Sequence, residues 1–228
     1  MCYLKTKNNV PAYARLSRRS RRRGLAGLTN YLESKNKTPK VLIPNFVDVK
    51  ECVSMPRKSS TGVKKALYVG GVIKEKGCDH IVEIAKELPD IQFRLVGLAS
   101  SEIVDQASRV SNIVLTGIKS GNDLLEEYQC ADVFLFLSRF IGEGFSNSLV
   151  EAMGAGLPCI VTDWAANADQ IDDCKGGFVV GENVMEEAKE AIVKLSRKNL
   201  REFMGDYNLR KVRKEYSANY ILNKYVKC

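Results

Sequence analysis

The sequence predicts an α/β domain built on a doubly wound, parallel sheet of about six strands. Two observations carry this. From Ala66 to Ser196, short apolar runs of strand length alternate with longer segments whose apolar residues recur at helical spacing. The runs ADVFLFLS (131–138) and PCIVTD (158–163) are nearly continuous in their apolar character, as expected of strands covered on both faces. Strands that alternate with helices need crossover connections, and crossovers imply parallel pairing.

The elements follow in chain order. Residues 1–24 show no periodicity, and LAGLTNYLES (25–34) predicts a short helix. VLIPNFVD (41–48) reads as a brief strand broken by Pro44, and MPRKSSTG (55–62) as a loop. ALYVG (66–70) begins the regular pattern as a strand. GCDHIVEIAKELP (77–89) places apolar residues at 78, 81, 82, 85 and 88, a helical stripe that Pro89 ends. IQFRLVG (91–97) is the second strand, a short helix falls within 101–109, and NIVLTG (112–117) is the third strand. A helix at NDLLEEYQC (122–130) leads to the fourth strand, 131–138. The segment Asn147 to Ala155 is helical, stopped by Gly156 and Pro158. PCIVTD and GGFVV (176–180) are strands five and six. NVMEEAKEAIVKLS (183–196) is amphipathic, and NLREFMGDYNLRKV and SANYILNKYV predict two further helices.

Six such strands fit the order 3-2-1-4-5-6, which makes strands 1 and 4 neighbours at the point where the sheet reverses direction. Ligands bind beyond the strand ends there. The loop GGVIKEKG (70–77) after strand 1 and the loop containing Glu143 after strand 4 are therefore expected to share one crevice.

Composition narrows the function classes. The chain has 228 residues with ordinary apolar and charged fractions, and no apolar run of membrane-spanning length or leader-like apolar segment. Its net charge of +8 is uneven: residues 1–40 hold five lysines and six arginines against Glu33 alone, a net of +10, so the remainder carries −2. The basic segment ARLSRRSRRRG (14–24) reads either as a contact for an anionic membrane surface, nucleic acid or acidic partner, or as a solvated tail. Nucleic-acid binding ranks last, because the segment has no interleaved aromatics and belongs to no nucleic-acid module. The seven cysteines form no C-x-x-C pair, and Cys130 and Cys159 read as small core residues, which suits a reducing, cytoplasmic setting. The single histidine, His80, leaves no basis for a zinc site and is expected to be a bystander on a helix.

The most informative stretch is EGFSNSLVEAMGAGLP, Glu143 to Pro158. A helix that starts beyond a strand end presents unpaired N–H groups and a partial positive charge, which suits an anion. Two carboxylates, Glu143 and Glu151, flank it. They would repel a phosphate but can each accept hydrogen bonds from two hydroxyls. A ligand with a diphosphate in the middle and polyols at both ends, as in a nucleotide sugar, fits this pattern. The competing reading is that Ser148 and Glu151 form an S-x-x-E capping box. Among the loop residues, Gly70 and Gly71 let backbone approach a ligand closely, and Lys76 offers a point charge.

The string EGFSNSLVEAMGAGLP closely resembles the E-x7-E signature of retaining GT-B glycosyltransferases of the family-4, or group 1, type, and the resemblance extends from about Val41 to Tyr225. It implies a Rossmann-like donor-binding domain, half of a GT-B fold, that transfers a sugar from a nucleotide-sugar donor with retention. It assigns donor-sugar hydroxyls to Glu143, the ribose to Glu151, phosphate charge to Lys76, and phosphate contacts to the N–H groups of Gly144, Phe145 and Ser146. Gly117 and Ile118 match the region that lines the base. YVGGVIKEKG looks like the family's VGR-x-x-x-x-KG loop, with Gly71 standing where the family has arginine; Lys74 and Arg139 are the replacements to consider. The resemblance implies no metal or other cofactor, the nucleotide sugar being the donor substrate, and names no protein base. It also implies two regions: 1–40, a basic tail or the remnant of an N-terminal domain, and 41–228, the nucleotide-sugar-binding domain. In the family the acceptor site lies largely on the first domain, for which residues 1–40 are too few. The expected partners are therefore an acceptor-domain chain or a second copy, met through residues near 216–226, besides the nucleotide sugar itself. The expected setting is cytoplasmic, peripheral at the membrane. The alternative is a non-catalytic nucleotide-sugar-binding or regulatory module.

Overall fold

A computed structural model describes residues 61–140 and 143–226, without the side chains of 224–226. The basic segment 14–24, the helix expected at 25–34 and the strand expected at 41–48 lie outside the described residues.

Six parallel strands form one sheet in the order β3-β2-β1-β4-β5-β6. They are β1 (Lys65–Val69), β2 (Gln92–Val96), β3 (Ile113–Gly117), β4 (Val133–Phe136), β5 (Cys159–Thr162) and β6 (Gly177–Val180). This is the order the alternating pattern predicts. The helices are α1 (Cys78–Glu87), α2 (Ser101–Ala107), α3 (Gly121–Cys130), α4 (Asn147–Gly154), α5 (Asn167–Gln170), α6 (Val184–Lys194), α7 (Lys198–Glu215) and α8 (Ala218–Val226). The sheet grows outward from β1 in one direction and from β4 in the other. Right-handed crossovers therefore put α1 and α2 on one face and α4 on the opposite face. α6 packs on α1, and α7 on α4, so both faces are covered. β4 and β5 are consequently buried at every position, which is why their sequences do not alternate.

The core is continuous across the sheet. α4 contributes Leu149, Val150, Ala152 and Met153, all fully buried. Truncating a side chain such as Leu149 to alanine would cost about 2–5 kcal/mol. On α7, Asn208 is buried and donates from Nδ2 to the carbonyls of Leu157 (2.7 Å) and Gly176 (2.6 Å), tying that helix to the entrances of β5 and β6. Two short elements were not legible in the sequence: a 3-10 turn over Lys74–Lys76 and the four-residue α5. Neither is long enough to show a period. At the C-terminus, Tyr216 and Ile221 are buried, whereas Tyr220 and Leu222 are 39% and 53% exposed. Tyr220 and Leu222 thus leave apolar surface exposed on α8. No helix among the described residues is long and apolar enough to cross a membrane.

Candidate active site

The site begins at the carboxyl end of β1. Gly70, at φ 151°, donates its N–H to the Val96 carbonyl, and a Cβ there would lie 2.8 Å from the Tyr68 hydroxyl oxygen. Tyr68 is buried beneath the loop and donates from its hydroxyl to the Gly71 carbonyl (2.9 Å), so it fixes the loop from below. Burial pushes its phenol well above the ordinary tyrosine range, and burial pushes the neighbouring Cys78 thiol up to about 12. Both stay neutral and structural. After the 3-10 turn, Gly77 adopts φ 78°, and a Cβ on it would stand 2.0 Å from the Leu137 carbonyl oxygen. Only glycine allows that approach. The loop after β1 is thereby pressed against the end of β4.

This close approach brings Lys76 to Glu143. Lys76 Nζ lies 2.7 Å from Glu143 Oε2, and Ser138 Oγ donates to the same oxygen at 2.5 Å. Ser138 is fully buried, and its carbonyl accepts from Thr162 Oγ1 (2.6 Å), which in turn accepts from Asn167 Nδ2 (3.3 Å). The Glu143 side chain is only 8% exposed. Both contacts fall on Oε2; Oε1 has no partner among the described residues. Lys76 also sits 4.7 Å from the centre of the Phe140 ring, a cation–π contact that steadies the ammonium.

Glu151 is held separately. The Tyr128 hydroxyl donates to its Oε2 at 2.9 Å. The helix cap is Ser146, whose Oγ accepts from Leu149 N, while Ser148 lies inside the first turn. The Ser148–Glu151 capping box is therefore not formed: Ser148 is not the cap, and the Glu151 carboxylate takes its bond from Tyr128 instead. The Ser146 N–H is also spoken for: it donates to Gln170 Oε1 (2.9 Å), while Gln170 Nε2 donates back to the Ser146 carbonyl (3.0 Å). Of the three N–H groups expected to face phosphate, those of Gly144 and Phe145 have no partner among the described residues, and that of Ser146 does not qualify. The Phe145 ring is buried edge-on against Tyr216, its centroid 5.3 Å away.

Gly117 ends β3 and Ile118 follows it, on the far side of β2. Gly117 is at φ 75°, and Ile118 is 75% exposed. The next residue, Lys119, bonds to Glu127 Oε1 (2.6 Å), and Arg94 grips both Glu127 oxygens (2.6 Å each). Hydrogen bonds from Arg94, then Lys119, outweigh burial and hold the Glu127 carboxyl below the usual carboxylate range. This buried carboxylate fixes the loop that carries Ile118.

Gly71 is exposed, and a Cβ there would meet nothing within 4 Å. Neither replacement cation is free: Lys74 pairs with Glu102 (3.4 Å), and Arg139 bonds to both Asp79 oxygens (2.8 Å each) and to His80 Nε2 (2.5 Å). His80 is accordingly not a bystander. Burial and the Arg139 charge push its pKa down, and its Nδ1 is buried without a partner among the described residues. No group of three or more potential metal ligands occurs among the described residues. Tyr128, Ser138 and Gln170 escaped the sequence reading, since each acts on a residue far along the chain or inside another element.

Residues 63–198 match the family model described as glycosyl transferases group 1. The chain is 27% identical over 165 residues to the capsular polysaccharide biosynthesis glycosyltransferase CapM of Staphylococcus aureus, covering 68% of this chain and 42% of that protein. It is 28% identical over 171 residues to the UDP-N-acetylglucosamine–peptide N-acetylglucosaminyltransferase GtfA subunit of Streptococcus pneumoniae, covering 68% and 33%. The chain thus spans less than half the length of these curated relatives. In fold it is similar to Anabaena HepE, solved in complex with UDP and glucose, with a TM-score of 0.76 at 16% identity over 90% of this chain and 60% of that one.

Proposed function

Because this chain belongs to the group 1 glycosyltransferases, we propose that residues 41–228 are the donor-binding half of a GT-B enzyme that transfers a sugar from a nucleotide sugar with retention. The observation that carries this reading is the meeting of Lys76 with Glu143, 2.7 Å apart at the switch point between β1 and β4. Glu143 Oε1 is the acceptor for donor-sugar hydroxyls, with its other oxygen fixed by Lys76 and Ser138. Glu151 accepts the ribose hydroxyls. Lys76 keeps two N–H donors beyond the one given to Glu143, and with the Gly144 and Phe145 amides it faces the diphosphate. Gly70 and Gly71 let the backbone approach that diphosphate, and Gly117 and Ile118 line the base.

Transfer breaks the bond from the anomeric carbon to the diphosphate oxygen and forms one to an acceptor hydroxyl oxygen, whose proton passes to the departing diphosphate. Negative charge grows on the departing diphosphate. A fixed ammonium and fixed amides stabilise it without reorganising, which is the efficient way to lower such a barrier. The acceptor site belongs to protein outside the described residues, and Tyr220 and Leu222 offer surface for it. In this reading the setting is a reducing, cytoplasmic one, suited to the free thiols of Cys78, Cys130, Cys159 and Cys174, with residues 14–24 resting on an anionic membrane surface.

Calorimetry of the full chain with UDP-, GDP- and ADP-sugars tests this; the relatives' names put uridine nucleotides first. At least one should bind, and Glu151→Ala should weaken it. A folded chain that binds none of them would refute the proposal.

A further inference from the structure

The geometry points to Tyr128 as the residue that positions Glu151 and so sets a preference for ribonucleotides over 2′-deoxyribonucleotides. This rests on the reading of Glu151 as the ribose acceptor. Tyr128 belongs to α3, whereas Glu151 belongs to α4. The Tyr128 ring is fully buried and packs tilted on Phe134 of β4, with centroids 6.1 Å apart. Its position is therefore set by the core. Its hydroxyl stands 2.9 Å from Glu151 Oε2 and 3.3 Å from the Ser148 carbonyl. A phenol has one proton, and the nearer, charged acceptor takes it.

A glutamate at the edge of a crevice has several rotamers to choose from, and ordering them on binding costs affinity. Tyr128 removes that freedom by anchoring one oxygen. Glu151 Oε1 is left without a partner among the described residues. A ribose diol offers two donors at a fixed separation, so it needs a carboxylate held in one orientation. A 2′-deoxyribose offers only one donor and depends less on that orientation. The preceding residue, Glu127, holds Lys119 beside Ile118 by a 2.6 Å bond. Two adjacent residues of α3 thus brace the ribose wall and the base wall of the nucleoside site. Such support from residues that do not touch the ligand is what keeps a site preformed.

The test titrates the full chain with UDP, GDP and ADP, then with the 2′-deoxy form of the tightest binder. The unaltered chain should prefer the ribonucleotide by about tenfold or more, the scale of one hydrogen bond to a charged group. Tyr128→Phe keeps the ring and its packing. It should lose most of that preference while 2′-deoxy affinity and unfolding temperature stay close to the parent's. A preference undiminished in folded Tyr128→Phe, but abolished in Glu151→Ala, overturns the positioning role and leaves the ribose reading intact. An unaltered chain that binds both forms equally, or binds no nucleotide, overturns the ribose reading and this inference with it. Should Tyr128→Phe fail to fold, Glu151→Asp withdraws the carboxylate from the Tyr128 hydroxyl by one methylene. The preference should collapse there too, and its persistence overturns the inference.

Discussion

Lys76 and Glu143 are 67 positions apart in sequence and 2.7 Å apart in space. Their pairing depends on Gly77, whose missing side chain lets the loop after β1 rest on Leu137 at the end of β4. The Lys76 side chain is 22% exposed and that of Glu143 8%, and the bonds to Glu143 fall on Oε2 alone.

Removing the ammonium should weaken binding of a nucleoside diphosphate. Lys76→Met keeps an aliphatic stem of similar length and deletes the ammonium that sits over Phe140. Affinity should fall by about 1.5–3 kcal/mol, the usual loss for a charge-assisted contact. The salt dependence of binding should flatten at the same time. Calorimetry at two ionic strengths reads both effects. Unchanged affinity would place the phosphates elsewhere.

Gly71 has room for a side chain and is not held at positive φ. Gly71→Arg should therefore fold normally and add a bidentate phosphate partner. Nucleoside diphosphate affinity should rise about tenfold, the scale of one such charged contact. No gain, in a variant of unchanged unfolding temperature, would mean that this position does not face the diphosphate.

Glu127 makes stability depend on pH. Its folded pKa is depressed, chiefly by Arg94. A depressed carboxyl contributes its full stabilisation above the unfolded value, about 4.3, and loses it as pH falls through the folded value. Glu127→Gln should cost about 2–3 kcal/mol at neutral pH, less than the loss from breaking a fully buried pair, because Arg94 and Lys119 both reach water. The gap between variant and parent should narrow as pH drops below 4. Denaturant melts across pH 7 to 3.5 would show it, and a constant gap would assign the cost to packing instead.

The strand order and the shared crevice were legible in the sequence because both follow from periodicity and handedness. The near-continuous apolar character of β4 and β5 marks them as central, and the crossover rule then places β1 beside β4. The partners of the two glutamates were not legible. Tyr128 sits in a helical stripe that any core tyrosine would fit, and nothing in its spacing announces a bond to Glu151. Ser138 reads as the polar end of an apolar run. Gln170 lies in a helix of four residues, too short to show a pattern, yet it occupies the Ser146 N–H that the motif offers to phosphate. The S-x-x-E pair was legible and misleading, since Ser146, two residues earlier, takes the cap and leaves Ser148 inside the helix.

The most direct test of the central claim separates the sugar from the nucleotide at Glu143. Titrate the full chain and Glu143→Ala with a nucleotide sugar that binds and with its free nucleoside diphosphate. Glu143→Ala should bind the free diphosphate nearly as the parent does, while its affinity for the intact nucleotide sugar falls by about 1.5–3 kcal/mol. Equal losses for both ligands, or no loss for the nucleotide sugar, would contradict the assignment of Glu143 to the donor sugar.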